Sequence, residues 1–141
     1  MTGRSVLRMV DANANRALEG IRVCEDIVRF HLESSRAFTA LRTLRHALAR
    51  AIQHLPVDRA ELLRARGSAR DVGRRAPASP EPSLERLLLM NFQRTKESLR
   101  VLEECMRVIA PRQARAFQRL RFQTYDVERE TLLRLAALRH P

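Results

Sequence analysis

The sequence predicts an all-α fold, in which a duplicated antiparallel helical hairpin forms a pseudo-twofold four-helix-type bundle with a short extra helix and one long central loop. Hydrophobic residues make up 45% of the chain, but only 4% are aromatic and Trp is absent, so the core must be aliphatic, which disfavours a β-sandwich or barrel. Apolar residues recur at three- and four-residue steps. The 141 residues fit a single helical domain, 1–141. Its expected parts are repeat 1 (about 5–56), a short helix and loop (57–83) and repeat 2 (about 84–138).

The first hairpin begins with a long helix, because the chain has no proline from Ser5 to about Leu32 and one face is apolar. That face comprises Ala14, Ala17, Ile21, Cys24 and Val28. Ser34 or Ser35 offers the cap of a second helix, which Pro56 stops. Its apolar side comprises Phe38, Leu41, Leu44, Leu48 and Ile52. Two helices joined by so few residues are expected to lie antiparallel.

A short helix and a loop are predicted between the hairpins. Asp58 can cap a short helix that runs through Arg66. The following segment, Gly67–Ser83, contains two of the four glycines and three of the six prolines. This composition predicts the one long loop of the chain.

The second hairpin is predicted to repeat the first. A third helix runs from about Ser83 to Ile109, and Pro111 opens a fourth that reaches about Leu138. The apolar stripe of the third helix comprises Leu88, Phe92, Leu99, Leu102 and Met106.

A shift of 78 residues aligns the two lead helices at seven identical positions. The shift pairs Asn13 with Asn91, Arg16 with Arg94, Glu19 with Glu97, Arg22 with Arg100, Val23 with Val101, Glu25 with Glu103 and Arg29 with Arg107. The following helices repeat at nearly the same offset, which places Phe38, Leu41 and Arg42 on Phe117, Leu120 and Arg121. The pattern indicates that whole hairpins were duplicated and favours a pseudo-twofold bundle.

The net charge of +11 is almost entirely guanidinium, because Lys96 is the only lysine. Arginine-rich surfaces suit phosphate recognition or a dense ion-pair network, and biased codon usage is a third explanation. A basic nucleic-acid-binding module is the less favoured alternative. Acidic residues interleave with the arginines, and the sequence has no aromatic platform or helix-turn-helix signature.

Two copies of one charge pattern predict a shared cleft that holds a phosphate with Mg²⁺ between oxygens. Asn13, Arg16 and Glu25 flank the apolar stripe, where each side chain is a candidate for ligand contact or for a cross-repeat ion pair. Arg and Glu at this spacing also occur on any solvated helix face, but such a face does not need the same residues twice. No recognised nucleotide-binding fingerprint is present.

The cysteines and histidines give weaker signals. Cys24 and Cys105 have apolar neighbours and no metal-ligand spacing, and no signal peptide or membrane-length apolar run is seen, so a reduced, cytoplasmic protein is expected. His46, beside Arg45, is a candidate base or ligand, although a lone helical histidine is more often a packing residue.

Five segments in register together resemble the hydroxymethylpyrimidine-phosphate kinase domain that is often fused ahead of thiamine-phosphate synthase. They are Asp11–Asp26, Leu44–His46, Asp71–Gly73, Asn91–Glu104 and Leu120–Tyr125. The resemblance covers nearly the whole chain. The chain departs from the family pattern in two places. It has Ala47 where an Asp is expected, and it has Arg66-Gly67 where Arg-Asp usually opens the loop.

The resemblance implies ATP-dependent phosphorylation of 4-amino-5-hydroxymethyl-2-methylpyrimidine phosphate to its diphosphate, with ATP and Mg²⁺ required. The residues expected to be catalytic are Arg22, Arg100, Glu19, Glu97 and Asp71. Those expected to bind the substrate are Asn13, Arg16, Asn91, Arg94, Gly73, His46 and Arg45. The expected metal ligands are Glu25 and Glu103. The loop around Asp71 and Gly73 is expected to close over the substrate as a lid.

The alternative is a non-catalytic partner that binds the pyrimidine phosphate or regulates thiamine-phosphate synthase. The expected partners are the small-molecule pyrimidine phosphate and the synthase, with no membrane. The sequence leaves a twofold homodimer open.

Overall fold

The computed structural model describes residues 2–80 and 83–139, and within these ranges the regular structure is entirely helical. The helices are α1 (Thr2–Phe30), α2 (Ser35–Gln53), α3 (Arg59–Ala65), α4 (Leu84–Ile109) and α5 (Ala114–Arg139), with 3₁₀ turns at Ser68–Arg70 and Pro111–Gln113. The all-α prediction is confirmed, and the predicted helix bounds agree to within one helical turn.

Side-chain caps set where three of the helices begin. The Ser34 hydroxyl accepts a hydrogen bond from the backbone N–H of Ala37 at 3.3 Å, so Ser34 rather than Ser35 caps α2. The Asp58 carboxylate accepts from the N–H of Ala60 at 3.3 Å, as predicted for α3. Ser83 caps α4 in the same way.

The central packing of the bundle is between α1 and α4, one helix from each hairpin. Cys24 contacts the carbonyl oxygen of Leu88, whereas Gly20 lies against Thr95. Positions that advance along α1 therefore go back along α4, and the two helices run antiparallel. Helix α2 packs on α1 and α5 packs on α4, while α2 and α5 close the bundle on the other side. Helix α3 packs against α1 alone among the described helices.

The predicted apolar stripes form the core. The residues predicted for α1 and α4 are all buried, and on α2 the central three are buried while Phe38 and Ile52 are partly buried. Cys24 and Cys105 are buried free thiols, and burial raises the pKa of both. They are packing residues, as the sequence predicted.

Gly20 marks the closest approach of α1 to α4. A methyl group placed on Gly20 would lie 2.5 Å from the hydroxyl oxygen of Thr95 and 3.1 Å from the carbonyl oxygen of Asn91. Thr95 is fully buried, and its hydroxyl has no hydrogen-bond partner within residues 2–80 and 83–139. The two helix backbones therefore meet without room for a side chain at Gly20.

We expect Gly20→Val to lower the free energy of unfolding by about 2 kcal/mol, because overpacking between α1 and α4 outweighs the poor helix propensity of glycine. The matched control is Gly3→Ala on the same helix, where a methyl group would meet nothing within 4 Å. That variant should be as stable as the wild type or slightly more stable. Urea unfolding of both variants measures the difference, and equal stabilities would contradict the close approach.

Candidate functional site

An open cavity of about 610 Å³ lies between α1 and α4. The lining residues form five pairs related by the 78-residue shift: Asn13 and Asn91, Arg16 and Arg94, Glu19 and Glu97, Gly20 and Ser98, and Val23 and Val101. Each helix contributes one member of every pair, so the cavity has the pseudo-twofold symmetry of the sequence repeat. We call it the symmetric cavity. It brings together six of the residues predicted to form a site.

The two asparagines of the symmetric cavity are held in the same way. The side-chain amide of Asn13 donates to the Met9 carbonyl at 2.9 Å, and that of Asn91 donates to the Leu87 carbonyl at 2.8 Å. Both side chains are almost buried. Neither side-chain oxygen accepts a hydrogen bond from the described part of the chain, so each is available to a ligand amino group.

The charged residues of the symmetric cavity are largely unpaired. Within residues 2–80 and 83–139, no ion pair involves Arg16, Arg94 or Glu19, while Glu97 accepts a hydrogen bond from Gln93 at 3.0 Å. Guanidinium groups bind phosphate oxygens in a planar fork, and Mg²⁺ binds carboxylates together with phosphates and water. These side chains therefore suit a phosphate ligand that carries Mg²⁺.

A second cavity, of about 450 Å³, shares Asn13 and Arg16 with the symmetric cavity and so adjoins it. We call it the loop cavity, because its other wall is the segment after α3. Its lining comprises Ser5, Arg8, Met9, Asp11, Ala12, Asn13, Arg16, Arg66, Gly67, Ser68 and Asp71.

An ion pair between Arg66 and Asp11 fastens this segment to α1. The Nε and Nη2 atoms of Arg66 donate to the two carboxylate oxygens of Asp11, each at 2.7 Å. The hydrogen bond to Asp11 is the main reason that the pKa of Arg66 is raised. The paired geometry fixes the guanidinium of Arg66 at the edge of the loop cavity.

The loop residues Asp71 and Gly73 are both exposed, but they lie differently with respect to the two cavities. Asp71 lines the loop cavity and accepts a hydrogen bond from the backbone N–H of Gly73 at 2.8 Å. Gly73 lines neither cavity. The turn between them shapes the loop, and the substrate-binding role predicted for Gly73 has no support from its position.

Glu25 and Glu103, predicted as metal ligands, lie away from both cavities. Arg45 donates to both carboxylate oxygens of Glu25, and Arg121 donates to Glu103 at 3.1 Å. Burial would raise the pKa of Glu25, but the hydrogen bonds and charge of Arg45 outweigh this and lower its pKa. Each carboxylate is bound by an arginine of the next helix, so each ion pair holds together the two helices of one hairpin.

The same two ion pairs correct the predicted alignment of α2 with α5. The partner of Glu103 is Arg121, whereas the partner of its repeat equivalent Glu25 is Arg45 rather than Arg42. Arg42 is exposed. By its contacts, Arg45 is the counterpart of Arg121, one helical turn from the predicted position. Arg45 is bound to Glu25 and lines neither the symmetric cavity nor the loop cavity, so the substrate-binding role predicted for it stays a prediction.

Arg22, Arg100 and His46 also lie outside the two cavities. The Arg22 side chain is 57% exposed, with its guanidinium 3.7 Å from Glu25, and that of Arg100 is 56% exposed and pairs with Glu104 at 3.3 Å. His46 is exposed on α2. The structure therefore separates these side chains from Arg16 and Arg94, which the sequence could not do.

The sequence did not indicate that Arg8 and Ser68 line a cavity, and it gave no role to the Asp11–Arg66 pair. Asp11 has Leu89 at its repeat position, so the 78-residue shift carries no signal for it. The only available signal was the glycine after Arg66.

Among the described residues, no group of three His, Cys, Asp or Glu side chains could hold a metal ion alone. No described helix is long and apolar enough to cross a bilayer.

The fold and the cavities define a helical protein with an arginine- and carboxylate-lined site between two related hairpins. The model of the ThiD2 family matches residues 8–130, and the chain belongs to this family. It is 36% identical to a thiamine-phosphate synthase of Rhodopirellula baltica over 138 residues, which are 96% of this chain and 36% of that protein. It is 39% identical to one of Synechococcus sp. (strain CC9311) over 126 residues, 87% of this chain and 34% of that protein. The chain thus spans about a third of these relatives. No solved structure matches it significantly.

Proposed function

We propose that this chain transfers the terminal phosphoryl group of ATP to 4-amino-5-hydroxymethyl-2-methylpyrimidine phosphate, which makes the diphosphate in thiamine biosynthesis. Membership of the ThiD2 family and the similarity to proteins named thiamine-phosphate synthase support a role in this pathway. The observation that carries the proposal is the symmetric cavity, with its paired asparagines, arginines and glutamates.

The chemistry fits the side chains that line the symmetric cavity. The nucleophile is an oxygen of a phosphate monoester, which is already ionised near neutral pH, so the reaction needs no strong general base. Phosphoryl transfer depends mainly on positioning and on stabilisation of charge. Arg16 and Arg94 can supply that charge. Glu19 and Glu97 can bind Mg²⁺ together with phosphate oxygens.

The pyrimidine ring also has matching groups in the symmetric cavity. Its amino group requires hydrogen-bond acceptors, and the side-chain oxygens of Asn13 and Asn91 are free to accept. Val23 and Val101 provide apolar surface at equivalent positions.

A pyrimidine-phosphate-binding or regulatory protein without transferase activity is the second candidate. Ala47, where the family pattern has an Asp, is partly buried against the core, and Gly67 brings no carboxylate to the loop cavity. If either of those Asp residues is essential for transfer, this chain would keep the ligand site without the reaction.

The test is turnover of the full chain with Mg²⁺, ATP and the pyrimidine phosphate, with ADP release measured and the diphosphate product identified by ³¹P NMR. We expect ADP release that requires the acceptor. A folded chain that binds the pyrimidine phosphate in calorimetry and yields no diphosphate would contradict the kinase and favour the binding role.

Salt dependence separates both candidates from a nucleic-acid-binding module. Nucleic-acid binding falls steeply with salt because counterions are released. We expect the pyrimidine phosphate to keep its preference over DNA and RNA oligonucleotides between low and physiological salt. Equal affinity for any polyanion, lost in parallel as salt rises, would contradict a compact phosphate site.

A further inference from the structure

We propose that the loop cavity binds the polyphosphate chain of the phosphoryl donor, and that Arg16 is shared between the donor and the acceptor in the symmetric cavity. The inference rests on the proposed kinase function and assigns its two substrates to two adjoining sites. It is carried by the arginines of the loop cavity and by the residues that the two cavities share.

Arg8 is the first of the arginines that line the loop cavity. Within residues 2–80 and 83–139 it makes no ion pair, although it lines a cavity that contains two carboxylates. A methyl group on Gly67 would lie 3.4 Å from the Nη2 atom of Arg8, so the guanidinium rests close over the backbone of Gly67. Gly67 has φ −131°, which any residue adopts, so its lack of a side chain is not required by backbone conformation. A methyl group there would make an ordinary van der Waals contact with the guanidinium of Arg8.

Arg66 adds a second guanidinium with a fixed orientation. Its Nε and Nη2 atoms are occupied by Asp11, which leaves the donors of Nη1 for another ligand. Asp11 is thereby neutralised, and Asp71 is the one other carboxylate among the cavity's lining residues. Three arginines against these two carboxylates give the loop cavity a net positive charge, which favours a polyanion. Asp71 is placed to meet Mg²⁺ carried by the polyphosphate.

The shared residues connect the two sites. Asn13 and Arg16 line both cavities, so a phosphate in one lies next to a phosphate in the other across Arg16. In the transfer, an oxygen of the acceptor phosphate forms a bond to the terminal phosphorus of the donor. The bond from that phosphorus to the bridging oxygen breaks, and ADP leaves with the electron pair. Arg16 lies where negative charge builds up between the two phosphates.

The assignment of donor and acceptor follows from what each cavity offers. The symmetric cavity has two asparagine oxygens and two valines for an aminopyrimidine. The loop cavity has Arg8, Arg66 and the hydroxyl of Ser68. It also contains Asp11, whose repeat equivalent is Leu89, so this carboxylate has no counterpart in the second hairpin. The loop cavity therefore departs from the pseudo-twofold symmetry, so the donor and the acceptor have different binding places.

Calorimetric titrations of the full chain test the assignment with each ligand alone, either the β,γ-imido analogue of ATP with Mg²⁺ or the pyrimidine phosphate. We expect Arg8→Ala to weaken nucleotide binding by about tenfold or more and to leave pyrimidine phosphate binding within about twofold. Arg94→Ala should do the reverse, and Arg16→Ala should weaken both. Arg119→Ala, which removes an exposed arginine of α5 outside both cavities, should change neither.

Unchanged nucleotide affinity in Arg8→Ala, or an equal loss of both ligands, would overturn the assignment. Because Arg8 is exposed, its replacement should not affect folding, which circular dichroism checks. A wild-type chain that binds both ligands but yields no diphosphate would contradict the kinase function instead. The contrast between Arg8→Ala and Arg94→Ala would still decide where each ligand binds.

Discussion

Replacing Arg16 with alanine is expected to lower kcat/KM for the diphosphate-forming reaction by about a hundredfold or more. Arg16 lines both cavities and has no ion-pair partner within the described ranges, so its charge is available to the phosphates. Removal of one preorganised donor from the position where charge develops typically costs this much. Steady-state kinetics with each substrate varied in turn measures the loss. It should appear in kcat as well as in both KM values.

The order of losses among the arginines is the sharper part of this prediction. Arg94→Ala should lose nearly as much as Arg16→Ala, whereas Arg22→Ala and Arg100→Ala should each lose less than about tenfold, because their side chains are exposed outside the cavities. Arg119→Ala controls for the loss of one positive charge. Larger losses in the Arg22 and Arg100 variants than in the Arg16 and Arg94 variants would place the reaction elsewhere.

Replacing Arg45 with methionine is expected to lower the free energy of unfolding at pH 7 by about 3 kcal/mol. Glu25 is 2% exposed, so the variant leaves a buried carboxylate whose bidentate partner is gone. Arg22, at 3.7 Å and largely exposed, compensates only in part. Urea unfolding at pH 7 measures the loss.

The pH dependence of the Arg45→Met variant should have the opposite sign from that of the wild type. In the wild type the pKa of Glu25 is below its ordinary value of 4.5, so the unfolded chain binds more protons and stability falls as the pH drops below about 4.5. Without Arg45, burial is the largest remaining influence on the pKa of Glu25 and acts to raise it, so part of the lost stability should return as the pH falls from 7 towards 5.

Two variants control this experiment. Arg42→Met removes an exposed arginine from the same helix and should cost less than about 0.5 kcal/mol. The double variant Glu25→Met with Arg45→Met should recover most of the loss, because an apolar pair avoids the burial of charge. Equal stabilities of Arg45→Met and Arg42→Met would show that the ion pair contributes little.

The symmetric cavity could be predicted from the sequence because identical residues recur on two helices that must pack together. Asn13, Arg16 and Glu19 with their repeat equivalents reached one cavity as a result. A helical stripe does not show which neighbour covers each flank of a helix. Glu25 and Arg16 therefore looked alike, although Glu25 faces α2 and Arg16 faces the cavity.

The loop cavity could be predicted only in part: Asp71 was expected over a site that includes Asn13 and Arg16, but the contact of the loop with α1 was not. It depends on how the segment after α3 returns to α1, through the contact between Arg66 and Asp11. These residues are 55 positions apart, and neither periodicity nor the repeat relates them. Only the packing of α3 against α1 brings them together.

The pairing of residues across the symmetric cavity has a consequence for how the two halves of this chain diverged. Neither hairpin forms the symmetric cavity alone, because each supplies one member of every residue pair that lines it. A change in either half therefore alters the one cavity that both halves form. The two halves differ beside the paired positions, where the 78-residue shift matches Ala17 with the buried Thr95 and Asp11 with Leu89. A cavity with two identical halves would bind a small ligand in either of two orientations with equal affinity. The ion pair of Asp11 with Arg66 has no equivalent at Leu89, so the two orientations are not equivalent in this chain.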